Sequence, residues 1–148
     1  MAGATSIETI ELDHVRRFYA EEIRVAWNLH SDSLTEAFAS VPREQYLGPG
    51  PWLIRGADAD LSSPPRATPN ADPRHVYHNV SIVIDGSRQL FNGQPGTLGL
   101  WIDALQLKPG ERVLHLGCAT GYYTAIMAQM VGPAGRIRAI EIDPELAR

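Results

Sequence analysis

The stretch Arg112-Val113-Leu114-His115-Leu116-Gly117-Cys118-Ala119-Thr120-Gly121-Tyr122-Tyr123, continued by TAIMAQMVGPAGRIRAIEID to Asp143, decides the fold. Arg112 to Leu116 is a short, mostly apolar segment that reads as a β-strand. Gly117 to Gly121 form a glycine turn, and the residues from Tyr122 to about Val131 read as a helix. Gly132-Pro133-Ala134-Gly135 breaks that helix. A second strand follows from Arg136 to Ile142, with Glu141 at its tip. Asp143-Pro144-Glu145 then opens a further helical turn, with Asp143 as cap and proline at the first position.

Strand, glycine turn, helix and a strand ending in an acid form the nucleotide-binding half of a Rossmann-like α/β sheet. The glycines allow a sharp turn and let a ligand approach the backbone without a side chain intervening. A carboxylate at the tip of the second strand can accept hydrogen bonds from both hydroxyls of a ribose. Glu141 follows Gly121 by about the ~20 positions expected for that role. A dinucleotide site wants glycines spaced G-x-G-x-x-G. Counted from Gly117, the other two slots hold Ala119 and Tyr122. That argues against a nicotinamide-dependent oxidoreductase, and a phosphate-binding loop ending in Gly-Lys-Ser/Thr is absent. The looser G-x-x-x-G turn suits the phosphate-free cofactor S-adenosylmethionine. Tyr122 packs either against the ligand or against the preceding helix.

Upstream, Val15, Phe18, Tyr19, Ile23, Ala26 and Trp27 recur at helical spacing, with a capping-box pair at Thr5 and Glu8. Ser33 and Glu36 have the same spacing ahead of Leu34, Ala37, Phe38 and Val41, and Pro42 ends that helix. Residues 1–47 therefore form a helical region. Six of the eleven prolines fall between Gly48 and Arg74, so residues 48–74 read as a long loop or linker, tacked to the core at Trp52, Leu53 and Ile54. Residues 75–148 hold a hairpin and the first βαβ part of the sheet. The hairpin turns at Asp85-Gly86 and leads to a helix with Leu98, Trp101, Ile102 and Leu105 on one face.

Three segments resemble the protein L-isoaspartate O-methyltransferase family of S-adenosylmethionine-dependent enzymes. Residues 113–147 resemble its motif I and the following acidic motif. Ala37 to Glu44 (AFASVPRE) resembles its A-x-x-x-V-P-R-E segment, and Gln94-Pro95 resembles the end of its T-I-S-Q-P segment. The matches keep the family order from Leu34 to Ala147 and correspond to about the first half of a family member. The resemblance implies S-adenosylmethionine as cofactor, held by His115, Gly117, Cys118, Ala119, Thr120, Gly121, Tyr122, Glu141 and Ile142. It places Asn92, Gly93 and Gln94 beside the acceptor, a carboxylate on a protein or peptide. Three positions depart from the pattern. Gly93 stands where a hydroxyl is usual, His115 where motif I carries an acid, and Ala119 where the middle glycine belongs. No catalytic acid or base is assigned, because a sulfonium leaves readily and a carboxylate acceptor is already ionised.

Composition bounds the remaining classes. The 148 residues carry a net charge of −4, and Lys108 is the sole lysine beside twelve arginines. No nucleic-acid-seeking basic balance is present, no apolar run approaches the ~20 residues of a membrane helix, and no signal peptide is visible. The single cysteine, Cys118, and the scattered histidines give no metal-ligand spacing. The expectation is a cytoplasmic enzyme without metal, nucleic-acid or membrane partners. Two parallel strands leave an open edge, so the fold is expected to be truncated after the second of them. The chain would then pair with another copy, be a shortened form of a longer protein, or act only by association as a non-catalytic fragment.

Overall fold

The computed structural model describes residues 4–56 and 62–147, with side chains from Glu11 onward. Helix α1 (Ala4–Ala26) packs along α2 (Asp32–Ser40). The pair expected at Thr5 and Glu8 lies outside the described side chains. On α1, Tyr19, Ala20 and Ile23 are buried, but Phe18 is exposed. Phe18 adjoins Tyr19, and one helical step of about 100° turns it off the stripe that meets α2.

Helix α2 starts two residues earlier than its sequence suggests. Ser31, not Ser33, is the cap: its Oγ accepts the Leu34 amide at 3.1 Å. The Asp103 carboxylate accepts the amides of His30 (3.1 Å) and Ser31 (2.8 Å), which fixes the loop before α2. Leu34, Ala37 and Phe38 are completely buried, and Val41 and Pro42 leave the helix in extended conformation.

The described residues of the proline-rich segment are not all loop. They contribute β1 (Leu53–Gly56) and β2 (Arg66–Ala67), which pair antiparallel with each other. Strand β1 also pairs antiparallel with β3 (Val80–Asp85), and β3 pairs with β4 (Leu90–Phe91), giving a sheet of order β2-β1-β3-β4. Prolines are compatible with this because they flank the short strands and do not interrupt them. Trp52 and Ile54 are buried as expected, while Leu53 faces outward. The β3–β4 turn is longer than Asp85-Gly86. Asp85 accepts the Ser87 amide (2.9 Å) and hydroxyl (2.6 Å), and the chain re-enters the strand at Leu90.

Helix α3 (Pro95–Ala104) corrects a second expectation. Ile102 is buried, but Trp101 and Leu105 are more than half exposed. The inward face is made by Pro95, Gly96 and Gly99. A Cβ at Gly96 would fall 2.0 Å from Trp27 Nε1, so the helix backbone itself lies against the α1 end. Counting apolar side chains misreads a helix that packs through glycine.

Strand β5 (Arg112–Leu116) and helix α4 (Tyr122–Val131) follow the boundaries legible in the sequence, while strand β6 (Arg136–Ile140) ends two residues before the expected Ile142 and leaves Glu141 just past the strand. The two strands are parallel, with Leu116 opposite Ile140. Helix α4 lies between this pair and α2. Val113 and Ile137 turn toward the core, while Leu114, Leu116 and Ile140 are exposed on the other face. This is the opening βαβ unit of a Rossmann-like sheet. Apolar residues of both sheets and all four helices meet in one core.

Candidate cofactor site

The site is built where β5 gives way to α4. The Gly117 amide donates to Ile140 O at 2.8 Å, so the turn leaves β5 still tied to the end of β6. Three residues of the turn, Gly117 (φ 68°), Ala119 (φ 47°) and Gly121 (φ 88°), adopt left-handed backbone. A Cβ at Gly117 would meet nothing within 4 Å, and one at Gly121 would meet only the Tyr46 ring at 3.9 Å. The glycine at position 117 therefore faces open space.

Glu141 stands one residue beyond β6 and closes the site from the second strand. Its Oε2 accepts the Ala119 amide at 2.7 Å and its Oε1 accepts the Asp143 amide at 3.0 Å. These amides, the Asp143 one foremost, hold the carboxyl below its ordinary range, so it is ionised at neutral pH. A carboxylate offers about four lone-pair positions. The two backbone donors leave each oxygen able to accept again. Ile142, next to it, is 96% exposed.

His115 is half-buried on β5 with Nδ1 2.8 Å from Thr124 Oγ1. Burial lowers its pKa, with Glu141 pulling the other way. Thr120 turns toward the upstream segment: its Oγ1 accepts from Asn92 Nδ2 at 3.3 Å. The structure thus brings Asn92 and Gly93 beside the glycine turn, although they lie far back in the chain. Gln94 occupies the position before α3 without a side-chain capping bond, and its Oε1 accepts the Thr97 hydroxyl at 3.2 Å.

Two expectations about side chains need correction. Tyr122 does not face the turn's open side; it is 1% exposed, its ring lies 5.8 Å from that of Tyr46, and its hydroxyl is 3.4 Å from that of Tyr19. As the first residue of α4 it points inward, because that helix must cover α2. Asn92 is likewise 5% exposed and its amide is consumed by Thr120 and Arg43. Its side chain is therefore turned inward and is not presented at the surface beside the glycine turn. Cys118 is half-buried, with Sγ directed to Ala119 O, and no group of three or more potential metal ligands exists among the described residues.

A family model for protein-L-isoaspartate(D-aspartate) O-methyltransferase (PCMT) matches residues 63–148, more than half of the chain. The chain belongs to the protein-L-isoaspartate O-methyltransferase family. A relative in Aeropyrum pernix, a protein-L-isoaspartate O-methyltransferase, is 32% identical over 127 residues, covering 86% of this chain and 40% of that protein. A solved protein-L-isoaspartate O-methyltransferase superposes with a TM-score of 0.64 at 25% identity, over 88% of this chain and 35% of the other. A beta-aspartate methyltransferase from Plasmodium falciparum, solved in complex with S-adenosyl-L-homocysteine, shares the fold. Its TM-score is 0.60 at 18% identity, with 88% of this chain and 50% of that one covered. The chain therefore spans about two fifths of the length of the Aeropyrum relative.

Within this isoaspartate methyltransferase family member, sequence patterns missed the residues that hold the site together. Arg43, in the Val-Pro-Arg-Glu segment, is completely buried. Its Nη1 donates to Val76 O (2.9 Å) and His78 O (3.2 Å), and its Nη2 to Val80 O (2.9 Å), Asn92 Oδ1 (3.3 Å) and Gly93 O (3.2 Å). The guanidinium also lies 5.7 Å from the centre of the Tyr122 ring, a cation–π distance. Tyr123 adds a hydroxyl donor to Gly93 O at 3.2 Å. Arg88, from the β3–β4 turn, pairs with Asp143 beyond β6 and draws the hairpin to this end of the sheet. A buried arginine has no periodic signature; the one clue is its place directly after a helix-ending proline.

Proposed function

We propose that this chain forms the cofactor-binding and acceptor-facing part of an S-adenosylmethionine-dependent methyltransferase, transferring the methyl group to an isoaspartyl carboxylate of a protein or peptide. The observation that carries the reading is the ionised Glu141, bonded back to the glycine turn at Ala119 and one residue past the second parallel strand. Membership of the family and the S-adenosyl-L-homocysteine bound to a protein of the same fold support it.

The residues fit such a ligand. Gly117 faces open space, Glu141 keeps acceptor capacity on both oxygens, and the turn carries no lysine dedicated to phosphate. Glu141 would accept the ribose hydroxyls, with Gly117 to Thr120, His115 and Ile142 around the remainder. The cofactor supplies a methyl group on a sulfonium, already activated for transfer. What the chain must contribute is alignment and a fixed polar surround, which can lower a barrier without a general base. Gly93 and Gln94 form the acceptor-side wall, with Asn92 beneath them.

The test is calorimetric titration with S-adenosyl-L-homocysteine. Glu141→Ala should weaken binding by at least on the order of a hundredfold, because a hydrogen bond to a charged group is worth about 1.5–3 kcal/mol and a pair of them is lost. Affinity equal to that of the unaltered chain would sink the assignment.

A further inference from the structure

The most unusual side chain in the molecule lies outside the glycine turn. Arg43 is a buried cation, and among the described residues no carboxylate hydrogen-bonds it. Its charge is balanced by carbonyl dipoles and a tyrosine face instead. An arginine that merely filled the core would be a poor choice, since an apolar side chain of similar volume avoids the desolvation cost. An apolar side chain cannot hold four backbone carbonyls from two stretches of the chain around one plane. The rigid five-donor fork of arginine can.

Three of the carbonyls belong to residues 76–80, and the remaining two acceptors, Asn92 Oδ1 and Gly93 O, lie in one short segment beside the glycine turn. Gly93 O receives both Arg43 Nη2 and the Tyr123 hydroxyl, each at 3.2 Å. Asn92 Oδ1 receives Arg43, and the same side-chain amide donates to Thr120 in the glycine turn. Tyr123 is itself the second residue of α4. We infer that Arg43 is a positioning residue: with Tyr123 it clamps the Asn92–Gln94 segment against the glycine turn and joins the acceptor side of the site to the cofactor side. Its bearing on methyl transfer rests on the function proposed above; the clamp itself does not.

Amide exchange followed by NMR on the full chain tests this. The Asn92 amide bonds to Ile82 O (2.7 Å) and the Gly96 amide to Asn79 Oδ1 (2.8 Å), so the two bracket the segment. Mid-helix amides of Phe38 and Met127 report on the core. In the ligand-free protein, Tyr123→Phe should speed exchange at Asn92 and Gly96 by about tenfold while the core amides stay within about twofold. Arg43→Lys, which keeps the charge but loses the planar fork, should do the same more strongly. Should Arg43→Lys not fold, Tyr123→Phe decides alone. No response of the segment, or equal acceleration of all four amides, overturns the inference.

Adding S-adenosyl-L-homocysteine to the unaltered chain should slow Asn92 and Gly96, and Tyr123→Phe should abolish that slowing. If the Gly121 resonance moves on titration and the segment does not, the coupling is overturned while the cofactor assignment stands. If no resonance moves, the cofactor assignment fails, and the ligand-free comparison alone upholds or overturns the clamp.

Discussion

Adding or removing one methyl group along the glycine turn should change stability with opposite signs at neighbouring positions. Ala119 has φ 47°, a left-handed conformation that costs a residue bearing a Cβ roughly 1–2 kcal/mol. Ala119→Gly removes that cost but loosens the unfolded chain, which returns about 0.4–1 kcal/mol. The net gain is about 0.5–1 kcal/mol, and at about 2–4 °C per kcal/mol for a chain of this size the midpoint should rise by about 1–4 °C. Gly117→Ala and Gly121→Ala reverse the arithmetic at φ 68° and 88°. The new Cβ meets nothing at Gly117 and ordinary van der Waals distance at Gly121, so contact adds little and φ alone sets the sign. Each should lose about 0.5–1 kcal/mol by the same two opposing terms. Thermal melts of the ligand-free chain, monitored by circular dichroism at one concentration, read all three. The amide that Ala119 donates to Glu141 is untouched by Ala119→Gly, so no lost bond obscures the result. A lowered midpoint for Ala119→Gly, or unchanged midpoints for both alanine variants, would refute the conformational argument.

Two further outcomes follow from capping and from protonation. Ser31→Ala should cost about 1 kcal/mol in urea unfolding, the usual worth of a cap. Ser33→Ala should be close to neutral, because Ser31 and not Ser33 accepts the Leu34 amide; equal costs would contradict the observed cap. The His115 pKa lies below its ordinary 6.5 in the folded chain, burial being the main cause. The unfolded chain then binds more protons, so this contribution is complete above about 6.5 and declines as pH falls through that value toward the lower folded one. Urea midpoints at about pH 8 and about pH 5.5 should differ more for the unaltered chain than for His115→Gln; identical differences would exclude His115 as a source.

The parts of the fold that were legible in the sequence are those where periodicity and turn chemistry agree. From Arg112 to Val131 the apolar strand, the glycine turn and the apolar helix each favour one structure, and the observed elements keep those limits, whereas β6 stops at Ile140, two residues short of the expected Ile142. The place of Glu141 beside the glycine turn was legible because it depends on spacing alone. Where packing runs through backbone, apolar periodicity misleads: it puts Trp101 and Leu105 on the core face of α3, which Gly96 and Gly99 help to make instead. Strands β1 and β2 were hidden because each is short and flanked by proline, so no alternation had room to show. Tyr122 could not be placed, since the first turn of a helix faces either neighbour until the tertiary partner is known. Arg43 was hidden for a different reason. Its partners lie on carbonyls, and carbonyls carry no sequence identity.

That last feature also bears on the order in which the molecule takes shape. The bonds of Arg43 reach from 33 residues ahead, at Val76, to 50 residues ahead, at Gly93. During synthesis the guanidinium therefore emerges well before any of the groups that will hold it, and water must serve until Gly93 has been made. Contacts closed across such distances carry a loop-closure cost that local helices do not. Helices α1 and α2 can meet early, but the wall opposite the glycine turn acquires its final form only when the second third of the chain folds back over an arginine already waiting at the end of the first.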